Sequence, residues 1–161
     1  MKNSIGFAIG IIVVIAFIIV SSFILLPRPE EDNLELSKQF YKQAFVTFFQ
    51  GKQDTLQFNV AKSNFINLET REVLSDEAVE EILDFANNTS LTPDQTVHLM
   101  DESQTEENAE HYTFTFRHED TKNFQFVISE HIGEQILVDY WYEALYENGS
   151  WNITQISIVS R

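Results

Sequence analysis

The sequence contains an uncharged apolar run from Ile5 to Leu26, and no other feature constrains the fold as strongly. A helix of that length would measure about 33 Å, against roughly 30 Å of hydrocarbon in a bilayer. Most of its residues are Ile, Val, Leu or Phe, and each favours insertion by roughly 0.3 to 0.6 kcal/mol near the bilayer centre. The run therefore predicts a single-pass transmembrane helix at residues 5–26.

Charge on either side of this run predicts its orientation. Lys2 and the α-amino group precede it, whereas Arg28 follows it and is outnumbered at once by the acidic residues at 30–32. Cytoplasmic flanks are enriched in Lys and Arg, so the N-terminus is expected inside. All 25 acidic residues and nine of the ten basic ones follow the run, and such a surface is repelled by the anionic cytoplasmic leaflet. Residues 1–4 are thus predicted to be cytoplasmic, and the C-terminal part to lie outside the cell membrane.

A cleaved signal peptide is the alternative interpretation of the same run. Val20, Ser21 and Ser22 form an acceptable cleavage site. Signal peptides, however, have an apolar region of roughly 7 to 15 residues, and this one continues to Leu26. A retained anchor is therefore the preferred prediction.

Composition excludes several classes of function. The formal net charge of −15 and the scattered positions of the ten Lys and Arg residues argue against a nucleic-acid partner, which needs clustered cations. The absence of Cys excludes disulfides, thiolate zinc sites and a Cys nucleophile. Few Gly residues and no Gly-x-Ser-x-Gly motif argue against a phosphate loop and a serine nucleophile elbow. A content of 43% hydrophobic residues nonetheless indicates a folded domain.

Helical spacing is confined to the first half of this domain. Two prolines in Pro27-Arg28-Pro29 predict a stiff stalk over 27–33. Aromatic residues then recur at helical spacing from Leu34 to Gln50, and Gly51 is suited to end that helix. Residues 54–72 suggest one or two short helical turns. A second helix is expected after Ser75, a good N-cap, and should end at Asn87-Asn88.

After Pro93 the apolar period changes from 3.6 to 2, which is typical of strands. Strands are expected at Gln95–Met100 and at three later segments of alternating apolar residues: Tyr112, Phe114 and Phe116; Phe124, Phe126 and Ile128; and Ile136, Val138, Tyr140 and Tyr142. Asn148-Gly149 is a strong hairpin signal leading into a last strand at 151–160. The apolar phase shifts within that strand, between Ile153 and Ile156, which predicts a bulge or a strand covered on both faces.

Helices followed by an antiparallel meander define an α+β domain over residues 34–161, with a long helix packed on a curved antiparallel sheet of four or five strands. This order, together with the closing stretch Tyr146–Ile153, resembles the nuclear transport factor 2-like superfamily, a family of cone-shaped domains. Membrane-anchored bacterial members include bitopic assembly-platform subunits of type IV secretion and conjugation machines, and the layout here is similar. The resemblance implies an extracytoplasmic domain of that superfamily.

Catalytic members of that superfamily place an acid or a base inside the cone. Asp139, Trp141 and Glu143 share one strand face here, opposite the apolar face, and are therefore expected to face solvent. His111 should lie on the face opposite Tyr112. No His-x-His or His-Glu-x-x-His spacing occurs, and the acidic run at 101–110 lacks the Gly of a calcium loop. The sequence thus predicts no catalytic residue, no metal site and no cofactor.

Two functions remain open. The first is a non-enzymatic, membrane-anchored interaction or assembly domain, part of an envelope or conjugation machine, which contacts other envelope proteins or a second copy. Asp139, Trp141 and Glu143 are its candidate contact residues, because large aromatic side chains are enriched at binding hot spots. The second is a small-ligand-binding or catalytic cone that uses Asp139 or Tyr140.

Overall fold

The computed structural model describes residues 29–52, 57–89, 95–100, 109–117 and 120–161. Residues 33–161 form one compact unit. The predicted cytoplasmic N-terminus at 1–4, the predicted membrane helix at 5–26 and the acidic run at 101–108 lie outside the described residues. Among the residues that are described, no helix is both long enough and apolar enough to cross a membrane.

Two α-helices precede most of the sheet, α1 at Pro29–Gly51 and α2 at Asp76–Thr89. Helix α1 begins at Pro29 and not at Leu34, because a proline in the first turn lacks only an N–H that would have no helical partner. Helix α2 begins as predicted: the Ser75 hydroxyl accepts a hydrogen bond from the Ala78 backbone N–H at 3.3 Å. Both helices therefore follow from local sequence signals.

The described part of the chain forms one six-stranded mixed sheet with the order β2-β1-β3-β4-β5-β6. Its strands are β1 (Gln57–Ala61), β2 (Thr96–Met100), β3 (Glu110–Arg117), β4 (Asn123–Ile132), β5 (Gln135–Glu147) and β6 (Ser150–Ser160). The fold class is α+β, as predicted, but the sheet is larger than the expected four or five strands and is not wholly antiparallel. Strands β3 to β6 form the predicted antiparallel meander.

Strand β1 accounts for the difference. Its residues were expected in short helical turns, but they pair in parallel with β2, and Val60 pairs with Tyr112 of β3. Only the following segment, Lys62–Asn64, forms a short 3-10 helix. Phe58 and Val60 are both fully buried. An alternation of two apolar residues is too short to distinguish a strand from a helical turn, so the parallel neighbours determine the structure here.

The last hairpin has the predicted turn and the predicted bulge. Asn148 and Gly149 have φ angles of 52° and 82°, so both central residues are left-handed, as a two-residue turn of the primed type requires. Tyr142 pairs with Gln155 and Trp141 with Ser157, which leaves Ile156 as the extra residue of a bulge. The bulge, rather than coverage of both faces, explains the shift in apolar phase.

The core lies between α1 and the face of the sheet that we call the inner face. Helix α1 supplies Phe40, Tyr41, Phe45, Phe48 and Phe49, all nearly inaccessible. Their rings meet aromatic rings of the strands, among them Phe58, Tyr112, Phe114, Phe116, Phe124, Phe126, Tyr140 and Trp151. The Trp151 indole also donates to the Leu36 carbonyl at 3.0 Å. The inner face is therefore filled by packed rings.

Candidate functional site

The three predicted contact residues lie on the opposite, outer face of the sheet. Strand pairing places Asp139 beside Ser129 of β4 and Val159 of β6, and it places Trp141 beside Val127 and Ser157. Since side chains alternate between faces, Asp139, Trp141 and Glu143 share a face that Tyr140 and Tyr142 do not. This part of the expected geometry is confirmed.

Asp139 does not face solvent, however. Only 3% of its surface is exposed, because it accepts hydrogen bonds from the Ser129 hydroxyl at 2.7 Å and from Arg161 Nε at 2.8 Å. Arg161 Nη2 lies 2.6 Å from the same carboxylate. Burial alone would raise the pKa of this carboxyl, but the bonds from Ser129 and Arg161 outweigh burial and lower the pKa. Asp139 is thus a buried, charged carboxylate that fixes the position of the Arg161 guanidinium.

Trp141 and Glu143 are more accessible. Trp141 is half-buried, and the Arg117 guanidinium lies 4.5 Å from the centre of its ring, a cation–π contact. Glu143 and its strand partner Gln125 are exposed. The sequence prediction of an accessible aromatic residue beside an acidic one therefore agrees with the structure, and the structure adds Arg117 to it.

A histidine pair was missed by sequence reasoning. His111 and His131 are cross-strand partners, and their rings stack at 4.7 Å with an angle of 15° between planes. His131 Nε2 lies 2.9 Å from the Thr113 hydroxyl oxygen. Burial and the charge of His111 lower the pKa of His131, against the opposing effect of Asp139. The lowered pKa of His131 favours its neutral form near pH 7.

Among the described residues of this outer cluster, no carboxylate is hydrogen-bonded to the His131 imidazole. A hydroxyl and an imidazole form a catalytic triad only when a third group orients the imidazole. The Asp139 carboxylate is instead bonded to Ser129 and Arg161. Among the described residues, no group of three or more His, Asp or Glu side chains could hold a metal ion.

A second polar cluster lies on the inner face, around Tyr140. Its hydroxyl donates to Glu130 Oε2 at 2.9 Å, and Glu130 also forms a salt bridge with Lys52, the residue after α1. The Lys52 ammonium lies 5.2 Å from the centre of the Tyr140 ring and 5.6 Å from that of Tyr112. Sequence reasoning named Tyr140 but neither partner, because both depend on long-range packing.

The electrostatics of this cluster keep Lys52 and Tyr140 protonated. Burial alone would lower the pKa of Lys52, but its bonds to Glu130 and Tyr140 raise the pKa well above the usual value. Burial also raises the pKa of Tyr140. Neither side chain is therefore available as a general base near neutral pH.

Gln95 lies next to this cluster. It is 1% exposed, and its amide nitrogen donates to the Lys52 carbonyl at 3.3 Å. Its Oε1 atom is buried and has no hydrogen-bond partner. Among the described residues, this oxygen is a polar detail on the inner side that favours a bound molecule, because a buried unsatisfied oxygen is costly.

Between α1 and α2 there is a shallow groove with a volume of about 180 Å³, lined by Leu34, Lys38, Ser75, Glu77, Ala78 and Glu81. Lys38 is buried there, between Glu35 and Glu81. Burial would lower the pKa of Lys38, but these two carboxylates raise it. Lys42 also contacts Glu81, so the groove is closed by ion pairs that join the two helices.

Comparison with known proteins gives no significant match: no family model, no curated protein and no solved structure aligns with the chain. A function for this protein is therefore argued from its own residues.

Proposed function

We propose that this protein is a single-pass, membrane-anchored, extracytoplasmic interaction domain without enzymatic activity. The proposed anchor is the apolar run at 5–26, with the N-terminus inside and the domain outside. The proposed fold family is the nuclear transport factor 2-like superfamily. Two helices before an antiparallel meander, and the Asn148-Gly149 hairpin, support that assignment. The proposed setting is an envelope assembly such as a conjugation machine.

One observation carries the interaction function: the outer face presents a half-buried Trp141 with Arg117 against its ring. Trp and Arg are the residue types most enriched at binding hot spots. The exposed side chains of Thr115, Gln125 and Glu143 surround this pair and provide a polar rim. Asp139 contributes indirectly in this proposal, by fixing Arg161 on the same face.

The packing of the inner face supports a non-enzymatic function. A ligand pocket requires space lined by a few convergent polar groups. Here the rings of α1 and the sheet occupy the interior, and Lys52 and Tyr140 remain protonated. A full interior stabilises the domain and leaves its surface for contacts.

The alternative function, a ligand-binding or catalytic cone, is favoured by Gln95 Oε1 and the Lys52–Glu130–Tyr140 cluster. Of its two candidate residues, Tyr140 lies on the inner face and Asp139 on the outer face. A ligand here would need a hydrogen-bond donor for Gln95. Binding of small molecules to the purified full chain, lost in the Tyr140→Phe variant, would support this alternative.

The interaction function can be tested by photo-crosslinking in the native membrane. A benzophenone amino acid at position 125, on the exposed outer face, should give an adduct on irradiation. The Trp141→Ala substitution should reduce the adduct yield at least tenfold, since a hot spot contributes about 2 kcal/mol or more to binding.

Thr115→Ala is the matched control at an exposed rim position of the same face, and it should change the yield little because rim contacts contribute almost no binding energy. Equal yields with and without the Trp141 ring would contradict the proposal. Membrane attachment is tested separately, because the full chain should stay in the pellet after an alkaline wash.

A further inference from the structure

The free edge of β6 carries no charged side chain, although the protein as a whole is strongly acidic. Strand β6 is the last strand of the sheet, so one side of its backbone has no partner among the described residues. The residues from the bulge onward are exposed, with Ile156 at 51%, Ile158 at 55% and Val159 at 44%. Trp151 and Ile153, before the bulge, are buried. The second half of β6 thus projects apolar side chains and an open backbone edge.

This edge carries none of the side chains that normally protect one. Edge strands are usually guarded by charged residues, Pro or a bulge. From Asn148 to Ser160 there is no charged residue and no Pro, and this is the longest uncharged run after Leu26. The bulge at Ile156 protects only the point where it occurs. Beyond it, Ser157 to Ser160 pair regularly with β5, and the Arg161 N–H still donates to the Leu137 carbonyl at 2.8 Å.

We infer that this edge, from Ser157 to Arg161, pairs with the same edge of a second copy, in antiparallel orientation about a two-fold axis. The inference rests on the proposed function and names one partner for it. Two backbone edges that pair in this way would continue the sheet from one copy into the other.

Charge favours a second copy at this edge. Two chains of formal net charge −15 repel each other over most of their surface. Along this strand neither copy presents a charge, except Arg161, whose guanidinium is held by the Asp139 carboxylate of its own chain. The neutral strip is therefore the place where two acidic copies can approach within hydrogen-bond distance.

The opposite edge of the sheet is less suited to self-pairing. Strand β2 is shorter, at Thr96–Met100, and in the sequence Asp94 precedes it and Asp101 and Glu102 follow it. Antiparallel self-pairing would bring these like charges together, which is destabilising. Leu99, 45% exposed on β2, therefore serves as a matched control for Ile158.

The proposed membrane anchor favours pairing between two copies of the chain. Pairing of a single short strand is weak in free solution. Copies held in one membrane, however, meet at a high effective concentration, which compensates for weak pairwise affinity. A second copy is also the one partner that is always present in that membrane.

The absence of Cys allows a direct test with the full chain in its membrane. Single Cys substitutions at positions 157 to 160 are oxidised and separated without reductant. We expect a disulfide-linked species of twice the 18.7 kDa chain mass, with the highest yield at the position nearest the two-fold axis. The Leu99→Cys control should stay monomeric.

A second variant checks that the link reports pairing. Adding Ile158→Lys to Val159→Cys places two like charges across the axis, and the dimer yield should fall at least fivefold. Because Ile158 is largely exposed, the thermal midpoint should not change. If the midpoint does fall, Ser157→Lys takes its place, at another exposed position.

Dimer yields no higher than those of Leu99→Cys at all four positions would overturn the inference, as would an adduct to a different protein. Either result leaves the proposed function standing if the crosslink from position 125 still depends on Trp141. Loss of that dependence with dimers retained would overturn the proposed function instead.

Discussion

The two faces of the β3–β6 meander are built from the same strands, yet they differ in what holds their side chains. On the inner face, aromatic rings pack against α1, and nearly all are buried. On the outer face, Asp139 is buried through specific polar contacts, because a hydroxyl and a guanidinium surround its carboxylate. The inner face thus supplies most of the buried aromatic core, whereas the outer face is the one that we propose for contacts.

The largest expected effect is a difference in the free energy of unfolding between substitutions at two neighbouring residues of β3, Phe114 and Thr113. Phe114 meets the rings of Tyr41, Phe45 and Phe126. The Phe114→Ala substitution should lower the free energy of unfolding by about 3 to 5 kcal/mol, because it leaves a cavity among packed rings. Thr113→Ala, on the outer face, should cost much less. Denaturant unfolding of both variants measures the contrast, and equal losses would mean that the faces are assigned wrongly.

A smaller effect is expected for Asp139. Removing its carboxylate with Asp139→Ala leaves Ser129 and Arg161 without their acceptor and should cost about 1 to 3 kcal/mol. Glu143→Ala, two residues along the same face, should change stability by less than about 0.5 kcal/mol, because Glu143 is exposed. If the two variants have the same free energy of unfolding, the polar contacts of Asp139 do not stabilise the domain.

The histidine pair makes the outer face sensitive to pH. Burial and the neighbouring His111 lower the pKa of His131, so the unfolded chain takes up this proton at a higher pH than the folded domain does. Stability should therefore fall as the pH drops below about 6.5, the usual pKa of His, and level off below the folded pKa.

Thermal midpoints between pH 7.5 and about 5 measure this effect. His131→Gln should remove part of the pH dependence, whereas His98→Gln, at an exposed position of β2, should retain it. A pH profile unaffected by His131→Gln would show that the stacked pair has no part in it.

Among the residues with assigned contacts, Trp141 should have a smaller effect on stability than Phe114 or Asp139. Its contact with Arg117 at an accessible site is worth about 0.5 to 1 kcal/mol. Trp141→Ala should therefore leave the thermal midpoint of the full chain nearly unchanged while it weakens partner capture. A fall as large as that of Phe114→Ala would make Trp141 a core residue and remove the main support for a contact surface.

Local patterns predicted much of this fold. The Ser75 cap, the Asn148-Gly149 turn and the alternation of Tyr112, Phe114 and Phe116 depend on neighbours in sequence, and all three are confirmed. Strand β1 was missed because its parallel partners lie far along the chain. The alternation of apolar and polar residues in an antiparallel strand can be recognised in the sequence, whereas the parallel partner of a short strand cannot.

The candidate site was predictable only in part. The face shared by Asp139 and Trp141 follows from alternation, but the burial of Asp139 depends on Arg161. The two-residue turn fixes the pairing of β5 with β6, and the bulge shifts that pairing by one residue. Together they place Arg161 opposite Leu137. That signal is present in the sequence. The His111–His131 register has no comparable marker, because the connection between β3 and β4 contains no such turn motif.

The bond between the Trp151 indole and the Leu36 carbonyl spans 115 positions of the chain. Translation proceeds from the N-terminus, so the ribosome completes α1 long before it completes β6. Until then α1 lacks the ring of Trp151, whose centre lies 5.4 Å from that of Phe40. Because contacts this distant in sequence form late, the domain can complete its fold only after β6 has been synthesised.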